Sequence, residues 1–330
     1  MFPLSQSAAA FHPLLILVVA LMIDAVVGDP PWLWRRLPHP VALIGGAIAL
    51  LERKLNRDSR PGYDRRVRGA LVAVLLVALA VGLGLAVVAL RRKTGWGGLV
   101  ELALTWALIA QRSLFDHVRA VAVALEREGL GGGRRAVARI VGRDPDSLDA
   151  AGVARAAIES CAENFADGVV APVFWCLLFG LPGLLAYKTV NTLDSMIGHR
   201  SERYRDFGMV SARLDDAMNL IPARLAGAML ALAALFVPGG RPLAAWRVML
   251  RDHGHHRSPN SGWPEAAMAG GLGLALAGPR RYPGYVADEA WIGDGRAQAS
   301  SADIRLALMC LAVACLLNGG LVLTVLLVLG

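Results

Sequence analysis

Residues 69–90 run for 22 positions without a charged side chain, and Arg91, Arg92 and Lys93 close the run. At helical rise such a segment is about 33 Å long, the thickness of a bilayer's hydrocarbon core. A chain carrying it must satisfy its backbone inside lipid, which leaves helices or a closed barrel as spanning structures. Further apolar stretches recur at Pro13–Val27, 99–110, 169–187, 221–237 and 304–329, the second short and holding Glu101. Helical spacing and length favour an all-α, polytopic membrane protein with about five inserting segments. The segment VALIGGAIALL after His39-Pro40 is too short to span and is expected to be interfacial or re-entrant.

Composition agrees, with 55% hydrophobic and 18% charged residues. The formal charge of +8 comes from Arg and Lys gathered in loops beside apolar runs, as cytoplasmic loops require. Nucleic-acid binding would call for aromatics interleaved with those bases on a soluble face, a pattern absent here. Cys161, Cys176, Cys310 and Cys315 lie in or beside apolar runs and form no CxxC pair, so they read as small apolar residues. The N-terminus has no basic region before its first apolar run, so Pro13–Val27 is expected to be retained.

The chain is expected to form one integral membrane domain over residues 1–330. Residues 111–151 read as an amphipathic, soluble insertion, and residues 238–300 as a polar loop that closes the site. Placing both 52–68 and 111–160 on the cytoplasmic side requires the weak 99–110 segment to cross. The expected location is the inner cell membrane, multi-pass, with the active site facing the cytoplasm.

Ionisable residues beside hydrocarbon are expensive and mark function. They concentrate between Arg155 and Arg224. On a helix, Glu159, Glu163 and Asp167 fall within roughly 80° of arc, a group that repels itself unless a cation sits among it. Such oxygen-rich sets suit Mg²⁺, with help from substrate phosphates; a solvated helix face is the plainer alternative. Asn191 and Asp194 lie within roughly 60° of Tyr187, with Lys188 alongside as a point-charge phosphate ligand or an interfacial cation. Asp215, Asp216 and Asn219 share roughly 100°, and Arg224 follows Pro222 by half a turn. In SPNSGWPEAAMAGGLG, Pro264 suits the first position of a helix whose free amides would bind an anion, and the Ala/Gly run permits close approach of another helix or ligand. His253, His255 and His256 match no ligand spacing and read as part of a basic loop.

Five stretches, GDPPWLWRRLPHPVALIG, ESCAENFADGVVAPVFW, AYKTVNTLDSMIGHRSERYRDFG, ARLDDAMNLIPARL and SPNSGWPEAAMAGGLG, together resemble the adenosylcobinamide-phosphate synthase family of cobalamin biosynthesis. The likeness keeps its order from about Asp24 to Arg296; residues 95–149 and the last span contribute little. It implies an integral membrane, amide-forming ligase. The reaction joins aminopropanol or its O-phosphate to the f propionate of the corrinoid adenosylcobyric acid, with ATP as co-substrate and Mg²⁺ as cofactor. Under that reading Glu163, Asp167, Asp194, Asp215 and Asp216 are metal ligands, and Lys188, Arg213 and Arg224 hold phosphate. Glu159 takes the proton of the attacking ammonium, and Glu163, Lys188 and Asp194 count with it as catalytic groups, Asp194 as a metal or acid/base carboxylate. Asn164, Asn191, Asn219, Asn260 and Glu265 orient substrate. Expected partners are these substrates, the bilayer and other enzymes of the pathway, with no nucleic acid.

No Walker A sequence is present, and GLGGGRR lacks the Lys-Ser/Thr end. Two other classes fit parts of the pattern. A corrinoid or small-molecule transporter would explain broken helices with buried charge but would favour an inverted repeat, and none is evident. An intramembrane phosphate-ester transferase would use the Asp215-Asp216 pair but normally carries two spaced Asp-rich motifs.

Overall fold

The structure is a computed structural model that describes residues 12–142, 144–282, 285–287 and 290–329. In chain order its helices are α1 (Pro13–Val27), α2 (Pro31–Trp34), α3 (Pro40–Leu55), α4 (Gly62–Lys93), α5 (Gly95–Ala107), α6 (Gln111–Val137), α7 (Ala150–Phe165), α8 (Ala171–Ile197), α9 (Met209–Ala233), α10 (Pro242–Asp252), α11 (Gly262–Leu272) and α12 (Ser301–Leu329). A π-helical turn, Ala166–Val170, joins α7 to α8. Four strands of two or three residues, β1 (Leu276–Ala277), β2 (Arg280–Tyr282), β3 (Tyr285–Ala287) and β4 (Trp291–Ile292), pair antiparallel as β1–β4 and β2–β3.

Five helical stretches among the described residues are long and apolar enough to cross a membrane: Gly62–Lys93, Gly95–Val137, Ala150–Ile197, Met209–Phe236 and Ser301–Leu329. The all-α, multi-pass expectation is met in both class and number. Pro13–Val27 is apolar but shorter, and Pro40–Leu55 is not among the spans.

The chain divides into two compact units interleaved in sequence. The first holds residues 1–110, 171–218 and 321–330. Here α4 packs along α8, α1 along α5, and α3 against α8. α8 is interrupted at Gly180, whose φ of 65° breaks it two residues before Pro182. Gly84 of α4 meets that break, and a side chain there would stand 2.6 Å from the Pro182 Cα. Near the α3–α4 connection, buried Asn56 donates to Glu52 (3.1 Å) and to the Arg203 carbonyl (3.0 Å), and accepts from Arg65 (2.8 Å). Arg203 returns to Glu52 at 2.7 Å, so the basic loop after α8 is clamped to the α3–α4 hairpin. That hydrogen bond raises the Arg203 pKa further above its ordinary range.

The second unit holds residues 111–170 and 219–320. Its core gathers one face of α6 (Leu114, Val118, Val121), most of α7, the C-terminal part of α9, and α10, α11 and α12. Within its described residues the segment 238–300 contains a helical hairpin, α10–α11, and the β1–β4 ladder. Every residue of α11 from Pro264 to Gly271 is buried. Small side chains permit this, as anticipated: a Cβ on Gly270 would reach the Ala244 carbonyl at 2.6 Å. Residues 283, 284, 288 and 289 of that segment lie outside the described set.

Candidate active site

In the first unit, α8 and the start of α9 carry the expected polar groups. Asn191 donates towards Asp215 Oδ1 at 3.5 Å, the long end of a hydrogen bond, which brings the two helices' polar faces together. Asp215 is 9% exposed, a carboxylate held largely out of water. Its neighbour Asp216 is half-buried, with Arg213 3.6 Å away. Lys188 and Asp194 are also half-buried. The Gly198 amide closes α8 on the Asp194 carbonyl at 2.7 Å, and a side chain on Gly198 would collide with the Asp194 carboxylate. The helix end thus leaves room for that carboxylate.

In the second unit, α7 supplies Glu159, Glu163 and Asn164. Glu159 is 3% exposed, and its Oε1 accepts from the Ala277 amide at 2.8 Å. Ala277 sits at φ 57°, a left-handed conformation that costs a non-glycine residue about 1–2 kcal/mol. One turn earlier on α7, Arg155 lies 5.5 Å over the ring of Trp291, the cross-strand partner of Ala277. Glu159 and Arg155 therefore grip one end of the β1–β4 ladder from α7. Glu163, half-buried, accepts from Ser261 Oγ at 2.9 Å. Asn164 is exposed and donates back to the Ser160 carbonyl at 2.9 Å. Asp167, half-buried, falls in the π turn that follows α7. Such turns occur often at functional sites.

The loop before α11 completes this half. Asn260 and Glu265 are buried. His256 Nε2 stands 3.6 Å from Glu265 Oε1, and its Nδ1 accepts from the Ser258 amide at 3.0 Å. Arg224 of α9 lies 4.5 Å over the Trp263 ring, and His253 stacks on the same indole at 3.9 Å. Burial, then the nearby Arg224 charge, lowers the His253 pKa. Asn219 is buried, at 1% exposure. At the end of α10, Arg251 holds Asp252 at 2.6 Å and Asp294 at 3.0 Å. These hydrogen bonds lower both carboxyl pKa values and raise that of Arg251.

Two sequence expectations change here. α11 begins at Gly262, not at Pro264, and its Trp263 and Glu265 amides already donate to the Asn260 and Ser261 carbonyls. With a buried carboxylate in its first turn as well, this helix start does not offer the expected anion site. Ser261, Trp263 and His256 were not singled out as site residues, although SPNSGWPE held the signal: a turn placed before a buried small-residue helix. The three histidines go to three different partners, since His255 Nδ1 pairs with the Trp291 carbonyl at 2.9 Å.

Among the described residues no group of three His, Cys, Asp or Glu side chains is disposed to hold a metal ion. Each unit instead presents one or two carboxylates beside amide, hydroxyl and cationic groups. That donor chemistry suits a hard cation that takes its other ligands from phosphate and water.

No solved structure matches the chain. The family profile described as CobD/Cbib protein matches residues 17–311. The chain is 52% identical to the cobalamin biosynthesis protein CobD of a Sinorhizobium species, over 94% of this chain and 98% of the relative. It is 51% identical to the protein of that name from Brucella suis, covering 90% and 91% respectively. For the Rhodobacter capsulatus protein of that name the identity is 51%, with 88% and 90% covered. Together these matches show that the chain belongs to the CobD/Cbib family.

Proposed function

We propose that this protein is the amide-forming enzyme of cobalamin biosynthesis, an ATP-dependent carbon–nitrogen ligase. It joins the f propionate of adenosylcobyric acid to (R)-1-aminopropan-2-ol or its O-phosphate, at the cytoplasmic face of the inner membrane. The observation that carries this reading is the near full-length match to cobalamin biosynthesis proteins, which spans all five polar stretches.

An unactivated carboxylate does not acylate an amine, so one carboxylate oxygen must first become a leaving group, most simply by phosphorylation from ATP. Such transfer needs positioning and charge neutralisation more than covalent help from the protein. Mg²⁺, when bound, would neutralise phosphate charge; its candidate ligands are Asp194, Asp215 and Asp216 in the first unit, or Glu163 and Asp167 in the second. Lys188, Arg213 and Arg224 carry the positive charge for phosphate oxygens. Asn191 is suited to holding Asp215 in place, given their 3.5 Å approach. Asn164, Asn219, Asn260 and Glu265 remain the groups proposed to orient corrin amides and the aminopropanol.

The proton of the attacking ammonium is better assigned to Glu163 than to Glu159. Glu163 is half-buried and accepts from the Ser261 hydroxyl, whereas Glu159 is buried and accepts from the Ala277 amide. Single Ala replacements of Asp167, Asp194 and Asp216 test the assignment. Each should reduce cobinamide-phosphate formation at least about a hundredfold while the protein stays folded. Near-normal turnover in all three would remove the metal ligands from this reading.

A further inference from the structure

On α6, Phe115, Arg119, Val123 and Arg127 recur every fourth residue, and on α12 Arg305, Leu308, Met309 and Ala312 follow the same helical stripe. The two stripes line one open groove of about 500 Å³ inside the second unit. Arg305 donates to Glu126, which sets the end of the groove where the charges lie. Away from that pair the α12 wall turns apolar, the α6 wall carries Val123 and then Arg119 two turns back, and Met309 remains 44% exposed. Arg305 lies one turn inside the start of α12, a helix long and apolar enough to cross the membrane. Its guanidinium is therefore at the level where arginine side chains reach lipid headgroups. Three arginines, Arg119, Arg127 and Arg305, face one glutamate, so the groove keeps a net charge of about +2 at its rim.

We propose that this groove holds one anionic phospholipid from the surrounding bilayer. The phosphate lies at the Arg127–Arg305 end, and an acyl chain lies along Val123, Leu308 and Met309. Charge complementarity selects the occupant: three arginines against one glutamate leave the groove positive, and a zwitterionic lipid gains less from that than an anionic one. The site involves none of the residues assigned to the amide-forming reaction, so it stands or falls separately from that assignment.

The test is native mass spectrometry of the full chain in detergent with equal amounts of added phosphatidylglycerol and phosphatidylcholine. The protein should retain one phosphatidylglycerol in preference, with each basic residue contributing about fivefold. Arg127→Gln with Arg305→Gln should bring the preference close to unity; both side chains are exposed, so the fold should survive, and circular dichroism checks it. Arg127→Gln alone should give a partial loss. Glu126→Gln, which releases Arg305 from its partner, should raise the preference. Met309→Asp should lower retention by spoiling the acyl floor. No preference in the unaltered protein, or one unmoved by the arginine variants, overturns the proposal. So does retention lost with the arginines but indifferent to Met309→Asp, since that would identify a phosphate site without a lipid chain.

Discussion

Truncating Glu159 separates a structural carboxylate from a chemical one. Its Oε1 accepts from the Ala277 amide at 2.8 Å in a site where the side chain is 3% exposed. A buried hydrogen bond to a charged group contributes roughly 1.5–3 kcal/mol, and its loss leaves the Ala277 N–H without that acceptor. The same bond holds Ala277 in its left-handed conformation, so relaxation of the turn would recover part of the loss. Glu159→Ala should therefore destabilise the protein by about 3 kcal/mol, and Glu159→Gln, which keeps an acceptor oxygen, by about 1 kcal/mol. For a unit of this size that corresponds to a fall in melting temperature of about 6–12 °C for the Ala variant. Far-UV circular dichroism in detergent reads the melt, and turnover is measured on the folded fraction at a temperature below both transitions. Folded Glu159→Gln should keep turnover within about threefold of the unaltered protein. A Glu159→Ala protein that melts within about 2 °C of the unaltered one while Glu159→Gln is inactive would refute this reasoning.

Other replacements probe separate features. Gly69→Ala would push a Cβ into the Phe207 carbonyl, a backbone group that cannot swing aside, and should cost about 3 kcal/mol or more, read as a lowered melting temperature. Gly198→Ala should press on both the Asp194 carboxylate and the Asp194 backbone carbonyl, and turnover per folded protein should fall at least about tenfold. His253 has a folded pKa below its ordinary value of about 6.5, so the unfolded chain binds more protons between the two. Its contribution is present above about pH 6.5 and is lost as pH falls through the folded pKa. His253→Gln should therefore flatten the acid side of the stability profile; an unchanged slope would refute the role of His253.

The membrane architecture was legible because residues 69–90 and 304–329 are too long and too apolar for anything else. The break in α8 was legible for a local reason, since Gly180-Leu181-Pro182-Gly183 combines a residue free to take positive φ with one lacking an N–H. The folded region after residue 238 was not. α11 is buried on nearly every side, so it shows no polar face for periodicity to detect, and besides its neighbour α10 it packs on α7, which lies far away in sequence. Glu159 and Ala277, 118 residues apart, illustrate the point. The π turn was equally hidden: nothing in Ala-Asp-Gly-Val-Val distinguishes it from an α turn. The carboxylates were identified by their cost in an apolar chain, whereas Ser261 and Trp263 are ordinary in composition and acquire significance only through Glu163 and Arg224.

The most direct measurement is mass-spectrometric analysis of purified protein incubated with adenosylcobyric acid, aminopropanol phosphate, ATP and Mg²⁺. The account predicts a product with one new amide bond, formed in step with ADP and dependent on every component. Uptake of the corrinoid into proteoliposomes with no covalent product, under conditions where the protein is folded, would contradict it.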